Sequence, residues 1–385
     1  MSAHTVSPLI YLDHASSTPV DWRVARVMCE ILEGADRYGN PSSLHRLGGQ
    51  ALLDIEDAQT QAAQCIGADV DEIVWTSGAT ESNNLAILGV AHAYAFKGKH
   101  LITWKSEHKS VLGPCEHLEK QGFEVTYLDV NPEGQIDLEA LKHAITDQTI
   151  LINCLWVNNE TGVTQPIDKI IEIAHARGVL VHIDAVQAFL TQSLQVHQLG
   201  ADLLSLSAHK LYGPKGVGLL YLRRRPKIRI QPLLFGGSQQ RGIRPGTQAS
   251  HQIVGMAQAM VLAEDERAAR IAHFQAVKLA LIEALKTAYP APYYFNGSVD
   301  QTAPHILNVC FPTLESSLVK THLPHVLISQ GSACNSTAVE PSHVLSAMRR
   351  TSRDADRSFR FSFGVQNQAG EMVEVVRSLA LLQKQ

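Results

Sequence analysis

With 385 residues, 45% of them apolar and 18% charged, and with 26 glycines and 16 prolines scattered along it, the chain is a folded globular protein with room for two domains and little for long disorder. A formal net charge of -4 gives no broad attraction to nucleic acid or to an anionic membrane. Six cysteines (Cys29, Cys65, Cys115, Cys154, Cys310, Cys334) without a C-x-x-C pair argue against a disulfide framework or a tetrahedral zinc site, and the 18 histidines show no H-E-x-x-H spacing, so no metal is expected.

The N-terminal "MSAHTVSPLIYL" lacks a basic n-region and a sustained apolar stretch, and nowhere do 18 apolar residues run together, so a cytoplasmic protein without membrane contact is expected. Short apolar runs then alternate with segments of helical period: "EIVWTS" and "ATESNNLAILGVAHAYA", "KHLITW" and "KSVLGPCEHLEKQG", "ILINCLWV" and "PIDKIIEIAHARG", then "GVLVHIDA" and "ADLLSLS". This alternation predicts an α/β domain, a mostly parallel sheet with helices on both faces, over residues 20–255. Arg223, Arg224, Arg225 and Lys227 form an isolated basic run without interleaved aromatics, which reads as a solvated hairpin end rather than a nucleic-acid contact. The stretch from "HQIVGMAQAM" to "LIEAL" carries apolar residues at three- and four-residue spacing and reads as one long helix. Beyond it, "HILNVCF" and "RFSFG" read as strands separated by the polar loop "SQGSACNSTAVEPS", giving a smaller α+β domain.

In an open parallel sheet the ligand lies beyond the carboxyl ends of the strands, which directs attention to "SGAT" (77–80), "WVNNE" (156–160), "DAVQ" (184–187) and "SAHK" (207–210). Ser77 and Gly78, between strand and helix, form either a hydroxyl-capped turn or a seat for an anion; neither a Walker loop nor a dinucleotide fingerprint is present. Asp184 needs a partner at the end of its apolar strand, either an arginine or the protonated nitrogen of a bound ring. Lys210 is either a snorkelling surface lysine or a desolvated amine able to condense with a carbonyl. Together the three supply what pyridoxal 5'-phosphate requires: an anion seat, a partner for the pyridine nitrogen and an aldehyde-trapping amine. Cys334 sits in a loop too polar for a core, whereas Cys154 and Cys310 read as small buried residues.

The motifs "YLDHASSTPVD", "YGNPSSLHRLG", "IVWTSGATESNNLAI", "SEHKSVL", "VNNETGV", "HIDAVQ", "SLSAHKLYGPKGVG", "RPGTQASHQIVGM", "GSACNS" and "RFSFG" cover nearly the whole chain. In these the chain resembles the cysteine desulfurases of the class-V aminotransferase group. The resemblance implies the fold-type I architecture, with a seven-stranded sheet in a large domain (20–255). It also implies a small domain (1–19 and 256–385) that carries a mobile cysteine loop at about 329–340. By the same resemblance Lys210 binds the cofactor aldehyde, Asp184 pairs with the pyridine nitrogen and Gln187 contacts the ring hydroxyl. His108 stacks on the ring, while Gly78, Ala79, Thr80, Ser207 and His209 surround the phosphate. Thr247 completes the phosphate seat of a partner subunit in a homodimer with shared active sites. Asn159, which also contacts the cofactor, and Arg360 bind the substrate carboxylate, and Cys334 accepts sulfur from L-cysteine as a persulfide, with L-alanine released. Lys210, Cys334 and His108 are then the catalytic residues. A sulfur-acceptor protein follows as partner. The chain ends at "LALLQKQ", where many cluster-assembly members carry a scaffold-docking tail. That leaves iron-sulfur cluster assembly and tRNA or DNA thiolation both open as destinations, and a selenocysteine lyase or an aminotransferase of the same fold as the alternative activity.

Overall fold

A computed structural model describes residues 9–330 and 341–383. Among these, seven strands form one sheet, in the spatial order Ile73–Thr76, Gly218–Leu222, Leu203–Ser207, Leu180–Asp184, Thr149–Leu155, His100–Trp104 and Glu124–Leu128. Only Gly218–Leu222 runs antiparallel to its neighbours, so the sheet is mostly parallel, as expected. Successive residues of these strands enter opposite cores. Ile73 and Trp75 join one apolar cluster with Ile102, Ile152, Val181 and Leu204, whereas Val74 joins another with Leu101, Leu203, Leu85 and Val90. Burial on both faces explains why the strands read as continuous apolar runs rather than as alternating ones. Two strands of this sheet escaped the sequence reading: Glu124–Leu128 is a half-exposed edge of mixed polarity, and Gly218–Leu222 follows directly on the glycines of "GPKGVG".

The segment read as one long helix is two helices, Ser250–Asp265 and Arg267–Ala288. The break falls at Glu266 (φ -96°, ψ 2°), whose carboxylate accepts from Arg23 Nη1 at 2.5 Å and from Arg270 Nη2 at 2.8 Å. Periodicity runs on across the junction because both helices bury apolar residues, but against different cores. Ile253, Met256 and Met260 pack with the large sheet. Phe274, Leu281 and Leu285 pack with Val375, Leu379 and the strands of a second sheet.

That second sheet is antiparallel, ordered Ser358–Ser362, Ile306–Cys310, Tyr294–Phe295, with Asn308 opposite Arg360. Ile10–Tyr11 pairs in parallel with Val326–Leu327, and Ile10 and Leu12 enter the same core. We propose that the division between the two units lies at Glu266 rather than at 255/256. Residues 344–355 return to the large unit, since Val344, Leu345, Met348 and Ala355 join its core. The basic run does end a hairpin, with Arg224 bridged to Lys227, yet Arg223 is partly buried and pairs with the fully buried Asp202. No helix among the described residues is long and apolar enough to cross a membrane.

Glu266 sits below the usual carboxylate range chiefly through its hydrogen bond from Arg23, with burial opposing and Arg270 adding to the effect. Its contribution is therefore complete at neutral pH and disappears as the pH falls through the carboxylate range. Glu266→Ala also strips the buried Arg270 of its carboxylate. It is expected to lower unfolding free energy by about 1–3 kcal/mol, read as a lower urea midpoint at pH 7 that converges on wild type in acid.

Candidate active site

All four post-strand segments meet at one cavity of about 500 Å³. Its lining includes Gly78, Ala79 and Thr80 from the first, Asn159 from the second, Asp184 and Gln187 from the third, and Ser207, His209 and Lys210 from the fourth. His108 and Arg360 complete the wall. The reason is topological: parallel strands discharge their chains at one edge of the sheet, and residues distant in sequence converge there.

The turn at Gly78 holds a hydroxyl contact, Gly78 N–H to Thr76 Oγ1 at 3.4 Å, but no side chain caps the helix that follows. Helix Ala79–Tyr94 has no side-chain cap, so the N–H groups of its first turn are left for a ligand at the positive end of the dipole. Gly78 has φ +152° and ψ 176°, a conformation essentially reserved for glycine. The adjacent strand comes so close that a Cβ on Gly218 would stand 2.6 Å from Gly78 Cα. The last glycine of "GPKGVG" thus serves the phosphate-type turn by making room beside it.

Asp184 is only 2% exposed, and its Oδ2 accepts from Asn83 Nδ2 at 2.8 Å. The same amide nitrogen donates to Ser110 Oγ at 2.8 Å, and Ser110 Oγ lies 2.7 Å from His108 Nδ1. Because the backbone N–H of Ser110 also donates to His108 Nδ1, that nitrogen carries no proton and the neutral ring holds its hydrogen on Nε2. Burial pushes His108 below its ordinary 6.5; Asp184 works against this and Lys210 reinforces it. His209, 3.3 Å from Ser17 Oγ, is lowered to about 4 by burial, with help from Lys210 and Lys215.

Lys210 Nζ donates to the carbonyls of Ala15 and Ser16, each at 2.6 Å. Gln187 Nε2 donates to the Ala15 carbonyl at 2.9 Å. Arg360 Nη2 reaches Asp13 Oδ1 and Ser16 Oγ at 2.6 Å, and its Nη1 donates to the Asn159 carbonyl at 2.8 Å. Asn159 Oδ1 is buried and has no partner among the described residues, as expected of a group awaiting a ligand.

Two expected residues stand apart. Thr247 is exposed and does not line this cavity, and Cys334 lies outside the described residues. Several site residues were missed. Asn83 lies one helical turn into a segment read for its amphipathicity, and Ser110 is an ordinary residue by type. Ala15 and Ser16 hold Lys210 through backbone carbonyls, which every residue type carries, and Asp13 meets Arg360 with a carboxylate that no local pattern singles out. Glu107 was also passed over. It is fully buried behind His108, accepts from the Leu155 N–H at 2.9 Å, and has a pKa raised well above the carboxylate range, by burial first and by Asp184 besides.

Three deeply buried histidines bear on stability. Desolvation lowers His14 to about 4, His182 to about 3 and His305 to about 3. The unfolded chain takes up these protons near 6.5 while the folded one does not, so stability falls as the pH drops below 6.5 and keeps falling towards 4. The expected slope is about 1.4 kcal/mol per pH unit for each histidine, read from urea midpoints between pH 7.5 and 5.

The Aminotransferase class-V family profile matches residues 10–375. The chain is 47% identical over 356 residues to the cysteine desulfurase IscS of Aeromonas salmonicida, covering 92% of this chain and 88% of that protein. Among solved structures, a NifS-like protein superimposes with a TM-score of 0.89 at 33% identity, over 98% of both chains. A structure described as SspA in complex with cysteine superimposes with a TM-score of 0.80 at 38% identity, over 92% of this chain and 98% of that one. On a family match that spans most of its length and on this level of identity, the chain belongs to the cysteine desulfurases of the class-V aminotransferase family.

Proposed function

We propose that the protein is a pyridoxal-phosphate-dependent cysteine desulfurase that converts L-cysteine to L-alanine and passes the sulfur through Cys334 to an acceptor protein. The observation that carries this reading is one cavity in which an uncapped helix N-terminus, a buried carboxylate and a lysine amine converge. That donor set fits the cofactor end to end. The first turn after Gly78, with Thr80, Ser207 and His209, would hold the phosphate. Asp184 would meet the pyridine nitrogen, Gln187 the ring hydroxyl, and Lys210 the aldehyde. When bound, the cofactor supplies an electron sink for charge developing on the substrate Cα.

The chain's own residues perform the rest. Arg360, with three of its guanidinium contacts already fixed by Asp13, Ser16 and Asn159, presents a preset edge to the substrate carboxylate. Lys210 Nζ, the amine at the end of the site where the aldehyde would lie, would serve as the base for the Cα proton. Neutral His108, with its hydrogen on Nε2, can donate from that atom without bringing a charge into the site. The Cys334 thiolate attacks the substrate sulfur: an S–S bond forms, the C–S bond breaks, and the carbon keeps the electron pair and is protonated to the methyl group of alanine. The complex of SspA with cysteine supports cysteine as the ligand. We further propose a homodimer, because Thr247 is exposed and does not line the cavity of its own chain, and Phe235, 84% exposed, offers apolar surface to a second copy.

Borohydride reduction of the holoenzyme followed by peptide mapping is expected to tag Lys210 and no other residue. Cys334→Ala should abolish protein-bound persulfide, measured by mass spectrometry, while leaving the cofactor bound. Arg360→Lys is expected to raise KM for L-cysteine by about tenfold or more, through loss of the planar fork, with a smaller effect on kcat.

A further inference from the structure

We propose that His305 is a positioning residue for the cofactor ring: as a neutral imidazole with its proton on Nε2, it fixes the Gln187 amide so that a spare N–H faces the cavity. The inference rests on the reading of Gln187 as the partner of the ring hydroxyl.

The argument is one of donors and acceptors. Gln187 makes two contacts, one to the Ala15 carbonyl at 2.9 Å and one to His305 Nε2 at 3.3 Å. A carbonyl can only accept, so the end of the amide that meets Ala15 is the NH2 group. The other end is then the oxygen, and His305 Nε2 must donate to it. That assigns the tautomer: Nε2 carries the hydrogen and Nδ1 a lone pair. His305 Nδ1 is buried and has no partner among the described residues, which fits a ring that carries its only hydrogen on the opposite side. The second hydrogen of the Gln187 amide remains for the cavity that this residue lines.

Everything packed around His305 keeps it in that state. It is 2% exposed, in the turn before strand Ile306–Cys310, and its carbonyl accepts from the Phe363 N–H at 2.9 Å. Phe274 lies against the ring, with centroids 5.9 Å apart. The titratable groups that face it are Lys278, on the helix with Phe274, and His14, from the segment before Ala15; both oppose a second positive charge. Lys278 is held at that spot by Thr302 Oγ1 at 2.6 Å and by the carbonyls of Val299, Thr302 and Ala303, each at 3.3 Å. An apolar residue would fill the same space without leaving an unpaired nitrogen. What the imidazole adds is the donor that stops the amide from flipping and offering oxygen to the ring.

The test uses holoenzyme. A donor to the ring hydroxyl stabilises its deprotonated form, so His305→Leu is expected to move the pH midpoint of the cofactor's visible absorbance upward by about one unit, and Gln187→Ala should move it in the same direction. A role in packing alone would lower the melting temperature and leave the midpoint in place. A shift in Gln187→Ala without one in His305→Leu overturns the inference and leaves the Gln187 reading standing. No shift in either overturns both. Should His305→Leu fail to fold, nitrogen NMR on 15N-histidine-labelled wild type decides the matter: an Nε2–H neutral ring between pH 6 and 8.5 supports the proposal, and an Nδ1–H ring or an imidazolium defeats it.

Discussion

The grip of two backbone carbonyls on one ammonium group organises this molecule. Ala15 and Ser16 belong to the segment that enters from the small unit, and Lys210 belongs to the turn after a strand of the large sheet. The same few residues also hold Arg360 through Asp13 and Ser16, and Gln187 through Ala15. A single irregular stretch, 13–17, therefore sets the relative positions of the amine, the guanidinium and the amide on which the proposed chemistry depends. Loss of that geometry would leave each group in place on its own element and the constellation without a common origin.

Several of the groups around the cavity are buried, and the protein manages the cost of burying polar side chains by keeping most of them neutral or fully bonded. Asp184 is held by Asn83 and by the N–H of Val186. His108 has its acceptor nitrogen satisfied twice from Ser110. Glu107 is pushed towards its protonated form behind the site. Such an interior is suited to a reaction whose charge is carried by a bound ring, because few mobile counter-charges compete with it.

Comparison of pattern with structure separates two kinds of residue. Lys210 and Asp184 stood out in the sequence because each breaks a local rule, a cation or carboxylate placed directly after an apolar strand, and Gly78 stood out by its place between a strand and a helix. Asn83 and Ser110 break none, since polar residues on an amphipathic helix are ordinary, and only their packing against Asp184 and His108 distinguishes them. The helix pair around Glu266 was read as one helix for a similar reason. Apolar spacing records that a face is buried, not which core it meets. The edge strand Glu124–Leu128 was missed because half-exposed residues lack the apolar continuity that marked its neighbours.

Chain order and residue chemistry were enough to settle the α/β class, the alternation that makes a mostly parallel sheet, and the few side chains whose type is costly to bury. Those are consequences of local propensity and of desolvation, both of which act within a short window of residues. The convergence of segment 13–17 on Lys210 and Arg360, the tautomers of His108 and His305, and the abutment of Gly218 on Gly78 depend on contacts between residues far apart in the chain. Such contacts exist only once the sheet has closed and the two cores have packed, so no local pattern records them.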